Sequence, residues 1–241
     1  MSEQLLRETL DRLADQGQKV KLWLRDDDAV MPTAALDALL AMTAAHTIPV
    51  TLAVIPEHTG DALARRLDTA PHAFVAVHGW SHANHAPDGE KKQELGPSRP
   101  VEIVLTELKS GLQKLKGLHD TRFIPMLVPP WNRIAAELLP PLGQHGFMYL
   151  SVFGREQQGS PIRLVNTHVD IMDWHGSRGG RPAPQLFAEF AKEIGRMDRV
   201  PITGVLTHHL VHDTAAWKFL AALFTITSGH PACEWVKPDP V

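Results

Sequence analysis

Apolar runs of strand length alternate with segments of helical period along nearly the whole chain, and this alternation constrains the fold more than any other feature. The clearest run is IPVTLAVIP (48–56), almost continuously apolar, as expected of a strand covered on both faces. Before it, KVKLWLR (19–25) carries aliphatic and aromatic residues on alternate positions. Between the two, TAALDALLAMTAAH (33–46) has helical apolar spacing behind Thr33, a residue type that caps helix starts. The unit recurs, with a helix near 59–70, the strand AFVAVHG (73–79) and a long helix near 101–119. Further strands are predicted at FIPMLVPP, FMYLSVF, IRLVNTHVDI and ITGVLTHHL, with helices near 134–145, 184–197 and 214–225. Such alternation predicts parallel strands joined by right-handed crossovers. The expected fold is α/β: one domain over 1–241, a distorted, even incomplete, (β/α)7-type barrel of parallel strands. No Gly-rich turn follows the first strand, so the dinucleotide-binding alternative lacks its fingerprint. Residues 86–100 and 175–184 read as loops, solvated and mobile by composition, and too short to divide the chain.

Several function classes drop out early. A net charge of −3 without a basic stripe gives no case for nucleic acid or an anionic membrane. No run of about 18 apolar residues is present, so no membrane span is expected. The start, MSEQLLRETLDRLADQG, is amphipathic and charged, unlike a secretory signal. One cysteine, Cys233, rules out an internal disulfide framework, and a cytoplasmic location is expected. Oligomeric state is not readable; LAALFTIT near the C-terminus is expected to pack on the barrel rather than on a partner.

The polar residues gather where the predicted strands end. The first strand runs into Asp26, Asp27 and Asp28, and the third into His78, with His82 and His85 beyond. The fourth ends in Pro129, Pro130, Trp131 and Asn132, a later one in Asp170, Asp173 and Trp174, and the last in His208 and His209. Each group has an ordinary reading by itself: an aspartate turn, a loop histidine pair, a rigid Pro-Pro-Trp turn, surface histidines. Together, carboxylates and imidazoles on one rim of a parallel barrel describe a site. An HxxxH spacing can bring two imidazoles to one ion from a single turn of chain.

In these residues the chain resembles the NodB-like polysaccharide deacetylases, metal-dependent N-deacetylases on a distorted barrel. LRDDDA resembles the family's T-F-D-D-G motif, with Arg25 and Asp26 in place of Thr-Phe and Ala29 in place of glycine. HGWSH resembles H-[ST]-x-x-H, with Gly79 replacing the hydroxyl residue. LVPPWN resembles R-P-P-W except that Val128 holds the arginine position, and Arg133 is a candidate substitute. Asp170, Asp173 and Trp174 match D-x-x-D-W, and Leu206 with His208 match L-x-H.

The resemblance implies a divalent ion on Asp28, His78 and His82, zinc before cobalt, nickel or manganese. It implies Asp27 as general base, His208 as general acid and Asp173 as an orienting carboxylate. Trp131 and Trp174 would wall the site, and Leu206 would meet an acetyl methyl. An acidic pair one residue earlier, Asp26 and Asp27, remains open. The implied activity is hydrolysis of an amide in an acetylated sugar or a small intracellular amide; the implied partner is a small-molecule or oligosaccharide substrate. A metal-independent C–N hydrolase and a non-catalytic carbohydrate-binding barrel are the rival expectations.

Overall fold

The computed structural model describes residues 2–196 and 202–238. After α1 (Ser2–Asp15) come β1 (Val20–Ala29), α2 (Ala34–Ala45), β2 (Val50–Val54), α3 (Asp61–Asp68), β3 (Ala73–His78) and α4 (Val101–His119). Then follow β4 (Phe123–Val128), β5 (Tyr149–Leu150), β6 (Arg163–Leu164), β7 (Val169–Asp170), α5 (Ala183–Ile194), β8 (Thr203–Thr207), α6 (Thr214–Thr227) and β9 (Cys233–Trp235). The strands pair in parallel in the order β6-β5-β4-β3-β2-β1-β8-β7, and β9 adds beside the start of β1.

The two ends of this path belong to one stretch of chain. Residues 163–167 bond to the β5 side, through Val165 N–H to Leu150 O and Thr167 N–H to Val152 O. Residues 168–171 bond to β8, through His168 N–H to Gly204 O and Ile171 N–H to Leu206 O. The predicted strand 162–171 is therefore split between two neighbours, and the sheet curls into a distorted, incomplete barrel. The predicted strand 147–153 likewise keeps only a two-residue ladder.

Residues with alternate orientations build two cores. Outward residues such as Leu22, Leu24, Leu52, Val75 and Val77 pack under the helices, with Phe219, Leu220, Leu223 and Phe224 of α6 among them. That helix lies on the barrel, as expected. Inward residues form a smaller cluster of Trp23, Ala53, Ala76, Met126, Val128, Tyr149 and Val165. Trp23 fills the barrel axis, fully buried, with its indole N–H donated to Asn166 O at 3.0 Å. The small residues around it are a steric requirement: a Cβ at Gly204 would lie 2.4 Å from Trp23 Nε1.

Thr33 caps α2 by accepting from Leu36 N–H, and α4 occupies the predicted 101–119. The predicted helix 134–145 is absent: short 3-10 turns at Ala136–Leu138 and Gly143–His145 stand in its place. Pro140 and Pro141 cannot donate to a helical ladder, and Gly143 and Gly146 flank what remains. Residue 197, the predicted end of the helix from 184, lies outside the described residues. The 86–100 segment is not solvated throughout, because Glu94 and Leu95 are buried and Ala135 N–H bonds to Leu95 O. No helix among the described residues is long and apolar enough to cross a membrane.

Candidate active site

The acidic run of β1 sends its three carboxylates to three different partners. Asp26 points outward into the layer under the helices, where it accepts from the backbone N–H and the Nδ1 of His209. Asp27 points into the barrel on the same face as Arg25. Asp28 would point outward in a regular strand, but its φ of 72° is left-handed. Three steps along β1, from Asp26 to Ala29, are matched by two along β2, from Leu52 to Val54. This bulge turns Asp28 back toward the inner rim beside Asp27, which is how two consecutive carboxylates come to share one side.

His78 ends β3, directly across from Val128. Its Nδ1–H donates to Val128 O at 2.9 Å. A carbonyl can only accept, so Nδ1 carries a proton; Nε2 faces the rim, where it donates to Asp28 when protonated and offers its lone pair to an ion when not. Nε2 of His78 lies 3.1 Å and Nε2 of His82 3.3 Å from Asp28 Oδ1. Among the described residues, these three form the one His/Cys/Asp/Glu group whose donor atoms all lie within 4.8 Å of one another. Donors bound tetrahedrally to one ion at about 2.0 Å stand about 3.3 Å apart, so the set fits a small divalent cation such as zinc. Burial alone would raise the Asp28 carboxyl. The bond from His78 and the positive potential of His78, His208 and His82 outweigh it and hold the group well below the usual carboxylate range.

Asp27 faces a different set of groups. Arg25, fully buried, makes a two-point ion pair with it, Nε to Oδ1 at 2.9 Å and Nη2 to Oδ2 at 3.0 Å. The guanidinium is itself held by Ser151 Oγ at 2.8 Å and Asn132 Oδ1 at 2.7 Å. Arg133, the candidate offered by the sequence for this task, donates instead to Lys92 O at 2.7 Å. A guanidinium therefore does meet Asp27, supplied from two residues upstream on its own strand. Across the rim His208 Nε2 stands 3.9 Å from Asp27 Oδ2, too far for a hydrogen bond.

The remaining predicted residues divide. Trp131 meets His82 at a tilt with ring centroids 4.3 Å apart, and Trp174 meets His208 edge-on at 4.6 Å, so the two indoles bracket the cluster. Leu206, paired with Arg25 in the ladder, is fully buried on the inner side. Asp173 is not brought to the cluster: it faces solvent and accepts from the amides of Gly176 and Ser177. The carboxylate on the His208 side is Asp170, which accepts from Met172 N–H and the indole of Trp174. Burial pushes the Asp170 carboxyl up, and the His208 charge pulls against it. His85 is exposed. The 175–184 loop is tied to α6 by Gly180 N–H donating to Asp213.

Sequence reading missed Arg25, Asp170 and Glu94. The first two stand inside quoted motifs, and their strand positions were the available signal; Glu94 had none. Backbone strain also marks the rim: Asp28, His82, Trp131 and Asn132 are four of the seven non-glycine residues with positive φ among those described.

No family model and no curated protein matches the sequence. Solved structures do. A family 4 carbohydrate esterase from Streptomyces lividans, in complex with acetate, superposes with a TM-score of 0.58 at 14% identity, over 90% of this chain and 91% of that one. The Bacillus subtilis peptidoglycan deacetylase PdaC gives 0.55 at 17% identity, over 86% and 84%. A family 4 acetyl xylan esterase from Clostridium thermocellum, in complex with a cobalt ion, gives 0.51 at 16% identity, over 86% and 81%. The chain thus has the fold of the family 4 carbohydrate esterases and deacetylases.

Proposed function

We propose that this chain is a metal-dependent hydrolase that removes an acyl group from nitrogen, with an N-acetylated sugar or a related small amide as substrate. The observation that carries this reading is the convergence of Asp28, His78 and His82 beside an Asp27 carboxylate and a His208 imidazole that face each other across the rim. A divalent ion on the first three, zinc before cobalt, nickel or manganese, would lower the pKa of a water and polarise the acyl carbonyl.

The protein's own groups do the rest. Arg25 fixes the plane of the Asp27 carboxylate, so that group can take the proton of the attacking water without first reorienting. His208 lies on the other side of the reacting carbon and delivers a proton to the departing nitrogen, which would otherwise leave as an unstable anion. At 3.9 Å the two groups make no direct hydrogen bond to each other. Trp131 and Trp174 offer apolar faces to a sugar ring and keep bulk water from the reacting atoms. Leu206 lies beneath, where an acetyl methyl would sit. Asp170 takes the orienting task that the motif gave to Asp173, since of these two carboxylates it is the one that interacts with the His208 charge. A cytoplasmic setting suits a soluble oligosaccharide or small N-acyl compound better than a wall polymer.

The test is elemental analysis of the untagged protein after dialysis against metal-free buffer, beside His78→Ala, followed by assays with N-acetylated and O-acetylated sugars. About one ion per chain, lost in the variant, with acetate released from the N-acetyl substrates, is the expected result. Protein that takes up no ion yet turns over would mean metal-independent hydrolysis; a loaded protein with no turnover would mean a binding protein.

A further inference from the structure

His82 approaches the other two metal-site donors on a loop that is conformationally expensive. Gly79 has a φ of 60° and His82 a φ of 59°, a left-handed backbone that strains a non-glycine residue. Something must hold the loop in place, and the feature that touches it most closely is the carboxylate of Glu94. Its Oε1 accepts from Trp80 N–H at 3.0 Å, Ser81 N–H at 2.8 Å and Ser81 Oγ at 3.2 Å. Its Oε2 accepts from His82 N–H at 3.2 Å. Three successive amides converge on one anion, and that anion is fully buried.

Glu94 is held in turn. Leu95 is buried and bridges to Ile134, and Asn84 Oδ1 accepts from Gln93 N–H at 2.9 Å. The same carboxylate accounts for the glycine in HGWSH. A Cβ at Gly79 would fall 2.0 Å from Glu94 Oε2, so a side chain there and this carboxylate exclude each other. Burying a charge is costly, and a loop that needed only closing could be closed by apolar packing. What the carboxylate adds is a fixed direction for three backbone N–H groups, the last of which belongs to His82.

We propose that Glu94 is a positioning residue of the metal site, holding the 79–82 loop so that the His82 imidazole meets Asp28 and His78 at ligand distance. This rests on the metal-site reading above. The test uses full-length protein stripped with chelator, then titrated with Zn²⁺ against a chromophoric chelator and with Co²⁺ by absorption. Glu94→Gln keeps the size and one oxygen but cannot accept on both sides; Glu94→Ala removes the anchor.

Metal affinity about 10–100-fold weaker is expected for both, with the melting temperature of metal-free Glu94→Gln close to wild type. The Co²⁺ spectrum of Glu94→Gln is expected to move toward that of His82→Ala. Wild-type affinity and spectrum in both variants would overturn the proposal. So would a metal-free Glu94→Gln protein that melts far below wild type, because Glu94 would then be a general brace. Wild-type protein that takes up neither ion would instead bring down the metal-site reading, and this inference with it.

Discussion

The two ends of the barrel differ in opposite senses of what makes a site. The end where the strands start holds a hollow of about 850 Å³, lined by Lys21, Glu156, Ile162, Arg163, Glu234 and Val236 among others. The end where they finish holds nearly all the organised chemistry: the Asp28–His78–His82 group, the Arg25–Asp27 pair, His208 and four strained backbone positions. Convergent donors at strained positions have to be held by the surrounding fold, at a cost in free energy. The contrast favours the finishing end as the place of reaction, as in parallel barrels generally.

The largest expected break comes from His82→Ala, which should abolish both tight metal binding and turnover while the chain stays folded; circular dichroism and elemental analysis would check it. Bound metal at wild-type level in that variant would remove His82 from the ligand set. Asp27→Asn and His208→Ala should each keep the metal and lose about 10²–10⁴-fold in kcat. Loss of metal on Asp27→Asn would shift the ligand to Asp27, and wild-type rates in His208→Ala would take that imidazole out of the reaction.

Arg25→Met leaves Asp27 buried without its cation. A cost of about 3–5 kcal/mol is expected by denaturant titration, together with a fall in kcat. A variant as stable and as active as wild type would mean that the pair is dispensable. At the other end, Lys21→Ala and Glu234→Ala should leave kcat/KM unchanged, and a marked loss there would undo the comparison.

The smallest effect concerns pH. His119, at the end of α4 near the barrel floor, is kept neutral mainly by burial, its pKa lowered from 6.5 to about 4, and its Nε2 has no hydrogen-bond partner. The unfolded chain takes up this proton near pH 6.5 and the folded chain only near 4. The contribution is therefore complete above pH 6.5 and is lost as the pH falls toward 4. His119→Gln should flatten the stability profile in that window, measured by urea titration; an unchanged slope would assign the acid sensitivity elsewhere.

Arg25 and Arg133 show where sequence reading reached its limit. Both lie near quoted motifs, and spacing alone could not say which guanidinium meets Asp27. The answer depends on alternation along β1 and on Ser151 and Asn132, which are 126 and 107 residues away. Asp173 and Asp170 differ in the same way: the motif names both, but only the one at the end of a ladder strand comes near His208. The helix expected over 134–145 failed for a local reason, the Pro140-Pro141 pair, which apolar spacing had masked.

The sequence by itself determined the parallel strand–helix order, the rim on which polar residues gather, and the identity of the His78 and His82 pair. The first two follow from periodicity and from where apolar runs stop, both of which are local; the pair follows from the HxxxH spacing and the family resemblance. Only the tertiary structure decided that Asp28 rather than Asp27 joins the histidines, that Arg25 holds Asp27, and that Glu94 holds the histidine loop. Each of these depends on contacts between segments distant in sequence: a bulge defined by the partner strand, a guanidinium caught by two other elements, and a buried carboxylate from a loop whose composition reads as solvent-exposed.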